Sequence, residues 1–239
     1  MCLSMKKYLV FILIPCLLFS PFGCAVIKSR THPEFEARYK SIKTFGLLPP
    51  DIEIYELTAG GVRELKDEWS DMGKENVINA LMKKLKEKEI KVESFIKDEN
   101  MEEALALYRA VSICIELHTQ GPWAFPEKQK NFDYSIGSIE KILKENDVDA
   151  LMIIYGSDED TTGGRQALIA LGVLASIATG VAVAPRAGIT TMDVALVDPS
   201  GTILWYKNKS SGASHALKKP EDATSFVEDI FSDFPESDK

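Results

Sequence analysis

Three histidines, His32, His118 and His215, and four cysteines are the residues of this 239-residue chain best suited to metal or nucleophilic chemistry. The histidines lie far apart and share no ligand spacing with paired cysteines, so the sequence implies no metal centre. Asp158 and Asp160, with Gly163 beyond them, approach the spacing of a calcium loop. That pattern breaks where ligands are required, because Thr162 takes a ligand position and Ile169 stands where a bidentate glutamate belongs. Ser214 and His215 pair a nucleophile with a base in name only, since neighbours on a strand point to opposite faces. A hydrolase would need the acidic loop Asp158 to Asp160 to meet His215. With no phosphate loop, dinucleotide fingerprint or nucleophile elbow, the expectation is a protein that is not an enzyme and carries no cofactor.

The cysteine that does suggest chemistry is Cys24. Lys6 and Lys7 precede an apolar run, Tyr8 to Phe19, closed by Pro21, Phe22 and Gly23, with Met1 or Met5 as the start. A basic stretch followed by an apolar one of this length reads as a secretory signal over residues 1–23, too short and wrongly flanked for a stable span. The Gly23-Cys24 pair resembles a bacterial lipobox, in which a peptidase cuts before a cysteine whose thiol then carries lipid, palmitate included. Here Pro21 stands where that motif usually has an aliphatic residue. Ala25 after the cysteine is similar to lipoproteins sent to the outer membrane.

The other cysteines fit this reading. Cys2 and Cys16 leave with the signal, so Cys114 remains alone and no disulfide is expected. Cys114 lies in the apolar run Val111 to Leu117 and reads as a buried small hydrophobe. The chain has 28 basic and 36 acidic residues, and loss of Lys6 and Lys7 leaves 26 against 36, a net charge of −10. With no basic block, that balance argues against nucleic acid and against charge-driven membrane binding. The lipid has to supply the membrane attachment.

The elements that would position these residues follow from pattern. Residues 24–40, mixed in charge and containing Pro33, read as a lipid-anchored tether; residues 41–235 read as one domain and 236–239 as a disordered tail. Ser41 to Leu48 is a first strand stopped by Pro49 and Pro50, and Ile52 to Leu57 with Val62 to Leu65 suggests a hairpin. A helix capped by Asp71 carries Val77, Leu81 and Leu85, and a short strand follows at Ile90 to Glu93. Asn100 with Glu103 opens a second helix through Val111, whose extension to His118 the pattern leaves open. Gly121 to Tyr134 reads as a loop in which Trp123 and Phe125 either dock a partner or pack under the loop itself. A third helix is expected over Ser135 to Glu145, then a central strand at Ala150 to Tyr155. Ile189 to Val197, the type I turn Asp198-Pro199-Ser200-Gly201, and Thr202 to Tyr206 form a hairpin. A last amphipathic helix begins at Pro220.

Between the central strand and that hairpin lies an apolar insert, residues 165–186, uncharged from Ala167 to Ala184. Gly172, Ser176, Gly180 and Ala184 recur every fourth residue and would form one smooth helical stripe of the kind that lets apolar helices approach closely. Leu171, Leu174, Ile177 and Val181 lie opposite. The insert has about the length of a marginal span, so it is a span, a core helix or an interface helix. If the strands on either side share a sheet, one pass through a bilayer would separate them and leave backbone groups unpaired. The insert should therefore leave and return on one side, as a helix covering its own sheet, meeting a copy of itself or touching the membrane. The four small residues are the candidate self-association or membrane contact.

Three landmarks, Thr44 to Pro50, Asn146 to Leu151 and Val197 to Trp205, resemble those of a broad group of envelope lipoproteins. That group has the fold of the TolB amino-terminal domain and includes the curli-secretion lipoprotein, a penicillin-binding-protein activator and putatively assigned lipoproteins of unknown function, the last being most similar. The resemblance implies an α/β (α+β) domain, a single mixed sheet flanked by helices, facing the periplasm on a lipid anchor in the outer membrane of the cell envelope. It also implies protein partners in the envelope and a tendency to homo-oligomers. The reading is a non-enzymatic scaffold or assembly component; the alternative is an oligomeric secretion or channel accessory using the apolar insert. Mass spectrometry of the mature protein should find Cys24 as the first residue with acyl chains attached, and a retained signal or bare cysteine would remove the anchor.

Overall fold

The computed structural model describes residues 29–94, 99–120, 122, 124–212 and 215–235. The signal, Cys24, Trp123, Ser214 and the acidic tail therefore lie outside the described residues. The described strands form one mixed sheet, α/β in class, with helices on both faces.

Strand β6 (Ala150–Thr161) is its centre. Its first half, Ala150 to Ile154, is buried throughout, as a strand covered on both faces requires. On one side it pairs antiparallel with β7 (Ile189–Val197), which pairs with β8 (Ile203–Gly212), which pairs with the short β1 (Arg30–Thr31). On the other side lie two shorter strands, β2 (Thr44–Leu47) beside the first half and β3 (Asp51–Leu57) beside the second, both parallel to it. Pro49 and Pro50 separate them, since proline cannot donate to a ladder. β2 then pairs with β5 (Lys91–Ser94) and β3 with β4 (Arg63–Leu65), the expected hairpin.

Alternation along β6 divides the interior in two. Ala150, Met152 and Ile154 face a core closed by α2 (Asp67–Glu87) and by α7 (Pro220–Ile230) with the 3-10 turn behind it (Phe231–Asp233). Leu151 and Ile153 face a second core under α3 (Glu99–Thr119) and α5 (Glu140–Glu145), with the short α4 (Pro126–Lys130) between them in the chain. In α7, Ala223, Phe226, Val227 and Ile230 are buried, the stripe its sequence carries. The β7–β8 turn also forms as expected: Asp198 Oδ1 accepts from Ser200 N at 3.0 Å and Thr202 N at 3.1 Å, and Gly201 has φ 80°.

Three expectations are corrected, and the open extent of α3 is settled. Helix α2 starts four residues before Asp71, because Ser70 Oγ ties the first turn to the sheet, donating to Lys66 O and accepting from Ile54 N at 2.8 Å. Helix α3 continues unbroken to Thr119. The helix expected from Ser135 begins only at Glu140; residues 135–139 are claimed by the neighbouring hairpin, with Ile136 N donating to Gly201 O at 2.9 Å and Ile139 N to Pro199 O at 3.1 Å. From Arg30 onward the tether is not a tether. β1 adds to the sheet, and α1 (Phe35–Tyr39) buries Phe35 and Tyr39, stacked at 4.9 Å, against Phe45 and Phe234.

Phe35→Ala should therefore lower the stability of the domain by about 3 kcal/mol in urea unfolding, the usual scale for emptying a buried aromatic site. A solvated tether would show no change.

Candidate functional site

The apolar insert folds as a hairpin standing off the end of the sheet. Its first arm is α6 (Gly163–Thr179), capped by Thr162, whose Oγ1 accepts from Arg165 N at 3.2 Å. Gly180 ends it in the left-handed conformation, φ 71°, donating its N–H to Ser176 O at 2.9 Å. The second arm, 181–188, returns without helical structure alongside the first. Val183 N donates to Ser176 Oγ at 3.0 Å, and a Cβ on Gly172 would lie 2.5 Å from the Cα of Ala184.

The four small residues thus meet, but not as one helical stripe. Gly172 and Ser176 lie on the helix, Gly180 makes the turn, and Ala184 lies on the returning arm against Gly172. Their smallness lets one backbone of this chain approach another. On the helix, the face offered for self-association or membrane contact meets Val183, Ala184 and Pro185 of the return arm.

The larger side chains point outward. Leu171 and Leu174 are each 63% exposed, Ile177 77% and Val181 60%, and Arg165 is the one buried residue of α6. No residue of α6 belongs to either core, so the helix does not cover its own sheet. Among the described residues no helix is long and apolar enough to cross a membrane.

The base of the hairpin is clasped by charge. Glu159 on β6 accepts from both terminal guanidinium nitrogens of Arg186, Nη1 and Nη2, the latter at 3.0 Å, and from Arg63 Nε at 2.9 Å. The Arg186 guanidinium, with Arg63 beside it, holds the Glu159 carboxyl below the ordinary glutamate range. Arg165 crosses between the arms, donating from Nη2 to Arg186 O at 2.9 Å.

Beside this base the hydrolase candidates do converge. Glu159, Asp160, His215, Lys219 and Asp222 line a cleft of about 350 Å³. Their groups are already committed to the fold. Asp158, fully buried, accepts from Thr190 Oγ1 at 2.7 Å and Leu217 N at 2.9 Å, and burial pushes its carboxyl up. Asp160 pairs with Lys218, and Asp222 accepts from Ala216 N at 3.1 Å. His215 Nδ1 lies 3.1 Å from Ser211 Oγ, while burial first and Lys209 next lower its pKa. Of the carboxylates around it, Asp158 and Asp222 hold the backbone of the segment before α7, Asp160 holds Lys218 and Glu159 holds the arginines at the hairpin's base. Of the other histidines, His118 lies 3.1 Å from Tyr134 Oη, and His32 Nδ1 accepts from Glu34 N.

A second apolar surface escaped the sequence. Cys114 is exposed, contrary to expectation, because α3 turns Ser112 and Ile115 inward and Ile113, Cys114 and Leu117 outward. Leu107, Ala110, Cys114 and Leu117 follow one another at helical spacing along that outer face. Phe125 lies at its end, 54% exposed, with its ring 4.9 Å from His118; Phe132 is buried. The signal was present as a second apolar period on a helix whose other face also had one. Under α3, Asn208 Nδ2 joins Glu116 at 2.6 Å to Asp193, and burial raises both carboxyls.

No protein-family model matches this chain. No curated protein matches it either. Among solved structures it is similar to a PelC dodecamer from Paraburkholderia phytofirmans, at 10% identity over 86% of this chain and 96% of that one, with a TM-score of 0.36. It is similar also to the LpoB C-terminal domain from Salmonella enterica, at 10% identity over 72% and 84%, with a TM-score of 0.26.

The Glu159 clasp carries a pH signature. A carboxyl depressed in the folded state stabilises above the ordinary glutamate pKa and loses that contribution as pH falls through the folded value. Amide protection at Arg165 and Ile189, corrected for intrinsic exchange, should fall on acidification, before that of Ile153 in the core. In Glu159→Gln it should be low already at neutral pH; protection unchanged in the variant would show that the clasp does not hold the base.

Proposed function

We propose that this chain is a lipid-anchored, periplasm-facing envelope protein that works as a non-enzymatic scaffold or assembly component through protein contacts. The observation that carries this reading is the outer face of α3. Leu107, Cys114 and Leu117 expose an apolar seam about three turns long on a domain whose sequence is otherwise strongly acidic, and Phe125 extends it. Such a seam is the half of a helix-to-helix or helix-to-groove contact that a single chain presents. The commitment of the Asp158, Asp160 and Asp222 carboxylates to structural bonds supports the absence of catalysis. The anchor at Cys24 rests on the leader and its Gly23-Cys24 junction.

A second reading, an oligomeric secretion or channel accessory, draws on the exposed hairpin, whose apolar arms would gather around an axis. Photocrosslinking residues placed at Leu117 and at Leu174 in cells separate the two. Heterologous adducts at position 117 are expected for the scaffold, and homotypic adducts confined to position 174 would favour the accessory. No adduct at either position would sink both.

A further inference from the structure

Among the described residues three strands, β1, β4 and β5, end the sheet, and they are not alike. β1 is two residues long, and β4 is three, all exposed. β5 closes the row beyond β2, and no strand among the described residues meets its outer side. In a parallel pair every other residue turns its N–H and C=O away from the partner, so β5 offers backbone groups to a further strand. Proteins blunt such an edge by keeping it short and charged. β5 is four residues long and carries Lys91 and Glu93, paired at 3.2 Å, but the surface beside it is apolar.

That surface follows from the way α2 ends. Glu89 takes the left-handed conformation, φ 59°, and Ile90 N donates back to Leu85 O at 3.0 Å, so the chain reverses and β5 starts beside the last turns of the helix. Val92 lies opposite Phe45, on the side of the first core, and packs against that core as Met82 does. Met82, Ile90 and Val92 line a groove of about 480 Å³ together with Lys83 and Lys86. Both lysines are exposed, and among the described residues neither is in an ion pair. Their neighbours are engaged: Lys84 pairs with Glu87, and Lys88 Nζ donates to Phe234 O at 2.8 Å. From residue 83 to residue 91 five lysines stand against two glutamates, a local reversal on a chain whose net charge is −8.

We propose that β5 and this groove receive an extended peptide strand of another protein. The strand's backbone continues the sheet, apolar side chains on one of its faces enter the groove over Val92, and acidic side chains flanking them on that face meet Lys83 and Lys86. Charge decides against a second copy of the chain. Two β5 edges paired antiparallel about Val92 would match Lys91 with Glu93, but would bring Lys83 and Lys86 of both copies to one groove. The chain's own end fits no better, since residues 236–239 hold two acids and no apolar residue for the groove. Because α2 closes one core and α3 the other, the groove lies across the sheet from the α3 seam. It is a separate docking surface and stands whether or not that seam binds a partner.

The test titrates the full chain, in detergent micelles, against the fluorescein-labelled, amidated peptide Glu-Thr-Val-Thr-Val-Thr-Glu, reading anisotropy and amide exchange. Saturable binding that slows exchange within Lys91–Ser94 is expected. Lys83→Glu combined with Lys86→Glu should weaken that peptide about tenfold. The same double variant should gain affinity for the peptide with lysine in place of glutamate, a recovery that a misfolded chain cannot give. N-methylation of the peptide at its valines and at its threonines should differ, one abolishing binding and the other sparing it, because an added strand is bonded along one edge only. No binding, equal effects of the two methylations, or equal affinity of the unsubstituted chain for the glutamate and lysine peptides overturns the proposal. Protection confined to α3 does so too. Exchange within Lys91–Ser94 that slows with protein concentration in the absence of peptide also overturns it, and assigns the edge to a second copy.

Discussion

β6 and β7 are hydrogen-bonded neighbours from Leu151 opposite Val197 to Asp158 opposite Thr190, and they run in opposite directions. Whatever the chain does between them, it must leave one end of the sheet and return to that same end. An antiparallel ladder in the middle of a sheet has no spare backbone groups with which to let the two strands part. This pairing excludes a single crossing of a bilayer, places the apolar insert outside the domain, and brings its two feet close enough for one clasp.

The clasp explains how an apolar arm is presented rather than collapsed. Glu159 alone would be a poorly hydrated carboxylate at the end of a central strand; Arg186 and Arg63 bond it, and Arg165 spans the two arms at their base. Such bonds are strong because both partners are ionised and the carboxylate is largely withdrawn from water. Along the arms, Gly172 and Ser176 allow the return segment to lie close, so the hairpin is closed on itself before it meets anything else. Its larger side chains are left for an external partner. In the cleft beside the base, Asp158 and Asp222 accept from Leu217 N and Ala216 N and so fasten the segment that leads into α7.

Two apolar surfaces stand on one acidic domain. The hairpin is apolar all round and stands at the end of the sheet toward which the N-terminal chain runs. The outer face of α3 is a single seam on a helix whose other side is packed on the second core.

Local rules carried much of this into the sequence. The type I turn at Asp198 to Gly201, the stripe of the last helix, the buried run of β6 and the uncharged stretch from Ala167 to Ala184 are each written within about a dozen residues, where turn chemistry and hydrophobic period act directly. What misled were places where distant segments compete for the same residues. Ser135 to Ile139 have a helical pattern but bond to the β7–β8 hairpin; Phe35 and Tyr39 look like tether but complete an aromatic core with Phe45 and Phe234. Cys114 sits in an apolar run that its helix turns outward. The small residues of the insert show the division most plainly. Their spacing determined that something would approach closely, and only the left-handed turn at Gly180 decided that the approaching backbone is the chain's own.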